Sequence, residues 1–189
     1  MRKGYYSTEK GIGIVFDDVD VYVIGGKRTP FGRLCGTLAP ISPIDLGIAA
    51  GREALKSTGI PSQDVHQVIV ANVGQECPDA YFLPRHIALY CGIPVPVPAL
   101  MVQRICASGI EIVVTAAEEI TLGKADTVLC VGTENMSQRP TAAFGNRLGY
   151  PLGRPGFIDM LWEALKDTAV ALPMGCTAEN VARKYSITR

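Results

Sequence analysis

The sequence of 189 residues has no closely spaced cysteine pair. Its six cysteines stand at positions 35, 77, 91, 106, 130 and 176, and no C-x-x-C occurs. That argues against a zinc site built on such pairs and against a small disulfide-stapled scaffold; no metal is expected. Free thiols in a reducing compartment are the simplest reading, and with them a cytoplasmic location. Net charge is lacking too. Lys+Arg and Asp+Glu are 18 each, so no chain-wide basic field exists for nucleic acid or anionic lipid. Long apolar runs are also missing. The longest stretch free of Asp, Glu, Lys and Arg, residues 86–103, carries Pro94, Pro96 and Pro98, which a membrane-spanning helix would not hold together. The opening Met1-Arg2-Lys3-Gly4-Tyr5-Tyr6 has no apolar run behind it and does not read as a signal peptide. Neither nucleic acid nor membrane is therefore expected as a partner. Charged residues make up only 19% against a typical figure of about 25%, and hydrophobic residues 48%. Disorder is excluded on that composition, and the chain carries more apolar surface than a lone small domain needs.

What is present alternates. Residues 19–25 (VDVYVIG) form a short apolar run ending in Gly25-Gly26 and predict a buried strand. A Gly-, Pro- and Thr-rich loop covers residues 27–43. Ser42-Pro43-Ile44-Asp45 then opens a helix, with Ser42 as cap and Pro43 at its first position, and Gly59 should stop it. Strands are expected at 65–73, 97–102 and 126–132. Helices are expected at 81–91, ending at Gly92, and at 106–122, stopped by Gly123. Such alternation predicts an α/β layer with a mostly parallel sheet. Beyond residue 138 the chain is Gly-, Pro- and Arg-rich, with a helix expected over 158–168 and another starting near Cys176 with Thr177 as cap.

The informative segment begins at Cys106. Ile105-Cys106-Ala107-Ser108-Gly109-Ile110 follows a strand, and the helix after it is apolar on nearly every side, broken by Glu111 and Thr115. A helix apolar all round is buried. A thiol at its start faces the free N–H groups of the first turn. A helix N-terminus favours an anion by up to about 2 kcal/mol, and so favours a thiolate over a thiol. Desolvation acts the other way. The small Ala107, Ser108 and Gly109 leave room for a close approach, and the Cys106 N–H is placed to serve an oxyanion. A catalytic thiol also wants a histidine base. On these residues alone, a nucleophile and a small buried core cysteine both stand as readings.

The chain resembles the N-terminal half of the thiolases, the acetyl-CoA acetyltransferases and 3-ketoacyl-CoA thiolases. The matching pieces follow in order: Arg28-Thr29-Pro30-Phe31-Gly32, Asp45-Leu46-Gly47, Val68-Ile69-Val70-Ala71-Asn72-Val73, Pro84-Arg85 through Leu89, Gly92-Ile93-Pro94, Cys106-Ala107-Ser108-Gly109, Gly132-Thr133-Glu134-Asn135-Met136-Ser137 and Met174-Gly175-Cys176-Thr177-Ala178-Glu179-Asn180-Val181-Ala182. The resemblance implies a thiolase-like βαβαβαββ layer, with residues 1–18 as an N-terminal extension, 19–138 as the N-terminal thiolase domain and 139–189 as the beginning of an inserted loop domain. It implies that Cys106 takes the acyl group from an acyl-CoA. A carbon–carbon bond between acyl-CoA units is then made or cleaved. CoA thioesters are substrates, and no cofactor is expected.

The family's second cysteine, activating histidine and asparagine belong to its C-terminal half, which these residues do not match. His66 and His86 read as surface or packing residues, and Cys176 matches the loop domain. The resemblance therefore implies a second chain bearing the C-terminal thiolase half, in a homo- or hetero-oligomer. Leaving on the order of 1,000 Å² of apolar surface in water costs on the order of 25 kcal/mol, more than the roughly 5–15 kcal/mol net stability of a domain. Arg139, Arg147 and Arg154 are candidates for CoA phosphates, since guanidinium suits phosphate. The residues 132–137 read first as a structural turn, with Glu134 satisfied by backbone N–H groups, and second as support for a site at the sheet's carboxyl edge. Residues 145–156 are not a P-loop, because no Gly-Lys-Ser/Thr follows. Two rivals remain: a related condensing enzyme of the ketoacyl synthase or hydroxymethylglutaryl-CoA synthase kind, and a non-catalytic partner that keeps the fold.

Overall fold

The computed structural model describes residues 3–8, 11–16, 19–153 and 156–189. It opens on an antiparallel pair, β1 (Lys3–Thr8) and β2 (Gly11–Phe16), where the sequence reading placed an extension without elements. The helix α1 follows at Pro43–Thr58. Ser42 caps it as its sequence predicts: the Ser42 Oγ accepts from the Asp45 N–H at 3.0 Å, Pro43 occupies the first turn, and Gly59 ends the helix at φ 71°. Then come β3 (Gln67–Ala71), α2 (Leu83–Tyr90), β4 (Ala99–Val102), α3 (Ser108–Thr121) and β5 (Val128–Gly132). The alternation read from the sequence is real from α1 to β5.

The three strands form one parallel sheet in the order β4-β3-β5, with Val68 beside Ala99 and Leu129. The central strand β3 is covered on both faces, which is why it reads as an unbroken apolar run. Its residues alternate. Val68 and Val70 join Ile44, Ile48, Leu83 and Ile87 beneath α1 and α2, while Ile69 and Ala71 join Ile112 and Ala116 of α3 on the opposite face. The helices α1 and α2 touch closely at Gly47, where an added Cβ would stand 2.6 Å from the Ile87 Cδ1. A side chain at position 47 would have to push the buried Ile87 aside, so glycine suits this close approach.

Four expectations are corrected. The run 19–25 forms no strand: Tyr22 and Val23 are 77% and 83% exposed, because no described strand lies beside them to take up their backbone groups. The run instead lines a gap opposite the free edge of β5. The helix expected over 158–168 is much shorter. A pair of two-residue strands, β6 (Thr141–Ala142) and β7 (Ile158–Asp159), comes first, and α4 covers only Met160–Ala164. Asp159 sets that start by accepting from the Leu161 N–H at 2.8 Å. After β8 (Lys166–Asp167) and β9 (Leu172–Pro173), α5 runs Met174–Tyr185. It begins at Pro173 rather than at a Thr177 cap, since the proline supplies an extended entry and Thr177 falls inside the helix. Finally, α3 begins at Ser108, two residues later than expected, for the reason given below.

Candidate active site

The carboxyl ends of β3 and β5, the start of α3 and the loop after residue 26 enclose a cavity of about 470 Å³. Ala71 and Val73 come from the end of β3, Gly132 to Asn135 from the end of β5, and Cys106 from the start of α3. This is the edge at which α/β sheets place their ligands.

Cys106 stands one residue outside the helix cap, Ala107, and is exposed. The backbone explains the late helix start. Ile105 sits at φ 47°, a left-handed conformation that a β-branched residue rarely adopts. The Ser108 side chain holds that bend: its Oγ accepts from the Arg104 N–H at 2.7 Å and donates to the Ile105 carbonyl at 2.7 Å. The turn thus presents Cys106 at the cavity wall. A Cβ added at Gly109 would meet nothing within 4 Å, so the space over the helix start is open. The helix itself is half covered. Ile112 and Ala116 are buried, while Ile110 is 73% exposed and Val113 and Val114 are exposed beside it. The expectation of a buried helix therefore holds for one of its faces.

The other thiols differ. Burial pushes the Cys130 thiol up to about 11. Cys91 is also raised by burial, against the pull of Arg52, and Cys77 is raised chiefly by burial. Cys35 and Cys176 are exposed, as Cys106 is. Among the described residues no group of His, Cys, Asp and Glu is placed to hold a metal ion, and no helix is long and apolar enough to cross a membrane.

The 132–137 stretch holds the cavity together. Glu134 accepts from the Val73 and Gly74 N–H groups at 2.9 and 2.8 Å. The Asn135 Nδ2 donates to the Ala39 and Ile41 carbonyls at 3.1 and 2.7 Å, and the Thr133 Oγ1 to the Pro43 carbonyl at 2.5 Å. These side chains tie the cavity's loop to the sheet; Glu134 is satisfied by backbone N–H groups as the sequence predicts, while the carbonyl partners of Thr133 and Asn135 carry no sequence signature. Arg139 lies inward. Its side chain is 9% exposed and stands between Glu76 and Glu134, so its charge meets carboxylates rather than solvent. Arg147 is exposed in the turn Asn146–Leu148 and is not among the residues that line the cavity. Arg154 lies outside the described residues. His66 is exposed and accepts from the Asp126 N–H at 3.4 Å, and His86 packs between the Phe82 and Tyr90 rings.

The parallel sheet thus carries at its carboxyl edge a cavity whose wall includes a cysteine at a positive-φ turn into a helix. The chain belongs to the thiolase family: the family model for the thiolase N-terminal domain matches residues 21–189. The mitochondrial 3-ketoacyl-CoA thiolase of Mus musculus is 43% identical over 173 residues, which is 89% of this chain and 43% of that protein. Beta-ketothiolase BktB of Cupriavidus necator is 39% identical over 170 residues, 90% of this chain and 43% of that one. The crystal structure of human mitochondrial 3-ketoacyl-CoA thiolase in complex with CoA superposes with a TM-score of 0.85 at 41% identity, covering 88% of this chain and 43% of that one. The fold is thus the thiolase fold. The chain spans less than half the length of the curated relatives it matches.

Proposed function

We propose that this chain carries the nucleophile of a thiolase, with Cys106 as the residue that takes the acyl group. The observation that supports it most is the exposed Cys106 on the wall of the 470 Å³ cavity, at the start of α3. In this reading the Cys106 sulfur, having given its proton to a base, attacks the thioester carbonyl of an acyl-CoA. The carbon–sulfur bond to CoA breaks, and the CoA sulfur leaves with that proton. A second base removes a proton from the α-carbon of another acyl-CoA, that carbon bonds to the acyl carbonyl and the Cys106 sulfur leaves; in the reverse direction the Cys106 sulfur attacks the 3-keto carbon of a 3-ketoacyl-CoA, the carbon–carbon bond breaks with the α-carbon reprotonated, and the CoA thiol then takes the acyl group from Cys106. CoA thioesters are substrates, and no further cofactor enters.

The base, the oxyanion partner and the second proton carrier come from polypeptide equivalent to the rest of the relatives, whether a separate chain or a continuation of this one. Two features support that partner. His66 and His86, the two histidines of the chain, do not line the Cys106 cavity, and Ile110, Val113 and Val114 on α3 are open to solvent. Gel filtration of the purified 189 residues checks it: association, or a gain in stability on adding the C-terminal half of a relative, is expected, and a stable monomer indifferent to that half contradicts it. Arg147 and Arg154 stay as candidates for CoA phosphates, and a cytoplasmic site of action is a further part of the proposal, checked by cell fractionation.

Iodoacetamide labelling tests the nucleophile. In the complemented protein at neutral pH, Cys106 should label faster than Cys35 and Cys176, which are also exposed, and acyl-CoA should protect it. A Cys106 that labels no faster than those two, with no protection, contradicts the assignment and favours a non-catalytic member of the fold.

A further inference from the structure

Residues 21–44 hold Lys27, Arg28 and Arg33 and no acid. All three cations line the Cys106 cavity, and all three are exposed. The one acid in that lining, Glu134, is already engaged by the Val73 and Gly74 N–H groups and by Arg139. Among the described residues no carboxylate pairs with Lys27, Arg28 or Arg33.

The loop that carries these cations is exposed and yet held. The Asn135 Nδ2 donates to its Leu38, Ala39 and Ile41 carbonyls. The Gln138 Nε2 donates to the Ala39 carbonyl at 2.8 Å, and the Cys35 N–H donates to the Ser137 Oγ at 2.9 Å. A turn, with the Gly36 N–H on the Arg33 carbonyl at 2.9 Å, carries that order back toward residue 33. The Arg28 guanidinium lies over the Phe31 ring, 4.0 Å from its centre. Stacking occupies the flat face of a guanidinium and leaves its edge donors free for a carboxylate. Phe31 itself is 85% exposed, and Leu34 and Ile105 on the same cavity are exposed too. A surface ordered in advance binds with less loss of freedom.

The chemistry of the occupant follows from charge. Exposed apolar side chains call for apolar anchors on a partner, and three unmatched cations call for carboxylates. A second copy using the same face in a two-fold contact would set three cations against three cations. We infer that the 27–34 loop is the docking surface for an acidic segment of the polypeptide that completes the Cys106 cavity, with carboxylates held by Lys27, Arg28 and Arg33 and apolar side chains by Phe31 and Leu34. The inference rests on the reading above that such a polypeptide exists. It adds where that polypeptide lands and what charge it brings.

The probe is the part of the mouse mitochondrial 3-ketoacyl-CoA thiolase that this chain does not match, co-expressed with the full 189 residues. The dissociation constant of the purified complex is read by analytical ultracentrifugation. Raising sodium chloride from about 0.05 M to about 0.5 M should weaken the complex about tenfold. Arg28→Glu and Arg33→Glu should each weaken it about tenfold or more. Arg28→Lys should weaken it about threefold, because lysine keeps the charge and loses the stacked fork. Lys56→Glu, exposed on α1, should change nothing. The urea midpoints of these variants alone should match the parent, as exposed sites do. A water-soluble carbodiimide should join the Lys27 amine to an aspartate or glutamate of the probe as an amide, with the carbodiimide leaving as its urea. Charge-reversed variants that bind as tightly as the parent, a parent complex indifferent to salt, or Lys27 joined only to acids of this chain or of a second copy would each overturn the inference and leave the partner reading standing. A parent chain that never associates with the probe would overturn the partner reading, and the docking surface with it.

Discussion

The two faces of the β3 sheet carry similar sequences and meet opposite fates. On one face, α1 and α2 close the sheet, and Leu83, Ile87 and Ala88 are fully buried. On the other, α3 buries Ile112 and Ala116 and leaves Ile110, Val113 and Val114 in water. Composition alone does not separate α2 from α3, since both are largely apolar. The difference is one of cover: α1 and α2 close one face of the sheet, and α3 leaves an apolar stripe open on the other. Cys106 and its cavity belong to the second side.

The comparison can be broken most severely at the thiol. In the complemented protein, Cys106→Ala should lower acyl transfer by a factor on the order of 10⁴ or more, because a covalent route loses its nucleophile. Cys106→Ser should come close to that, while Cys91→Ala on the closed face should leave transfer nearly unchanged. Assays of transfer with acetyl-CoA check both.

Packing gives the next effect. Ile87→Ala should destabilise the chain by about 2–5 kcal/mol in urea unfolding, through lost burial and the cavity left against Gly47. Ile110→Ala should change the stability of the chain alone by no more than about 0.5 kcal/mol, as exposed sites do, yet weaken association with the complementing half. Equal effects of the two substitutions would erase the distinction between the faces.

A pH series sharpens the open side further. Glu134 is raised above its ordinary 4.5 to about 7 in the folded chain. A carboxyl raised in this way binds its proton more tightly folded than unfolded. Its contribution is therefore fully present below pH 4.5 and is lost as pH rises to about 7, with no further change above. Glu134→Gln should flatten stability over that window. The smallest effect is at the closed side's cap: Ser42→Ala should cost about 1 kcal/mol, with no effect on thiol labelling.

Much of this fold was legible before any coordinate. Ser42-Pro43 and Gly59 bracket α1 because a cap, a proline and a left-handed glycine act locally. The apolar runs of β3 and β5 follow from burial on two faces. What failed was not local. Residues 19–25 have strand composition, but a strand needs a neighbour, and no described strand lies beside them. The start of α3 was missed by two residues because a β-branched residue at positive φ, Ile105, has no sequence signature. The site was partly legible. Cys106 stood out by its place before an apolar helix, and the 132–137 stretch by its composition. The inward turn of Arg139 depends on Glu76, 63 positions away, and no spacing rule announces such a pairing.

The most direct test is the mass of the Cys106 peptide after brief exposure of the complemented protein to acetyl-CoA and acid quench. The account predicts an acetyl group on Cys106, lost on adding CoA and absent from Cys35, Cys91 and Cys176. An unmodified Cys106 in a protein that still transfers acetyl groups, or an acetyl group on one of those other thiols instead, would contradict it.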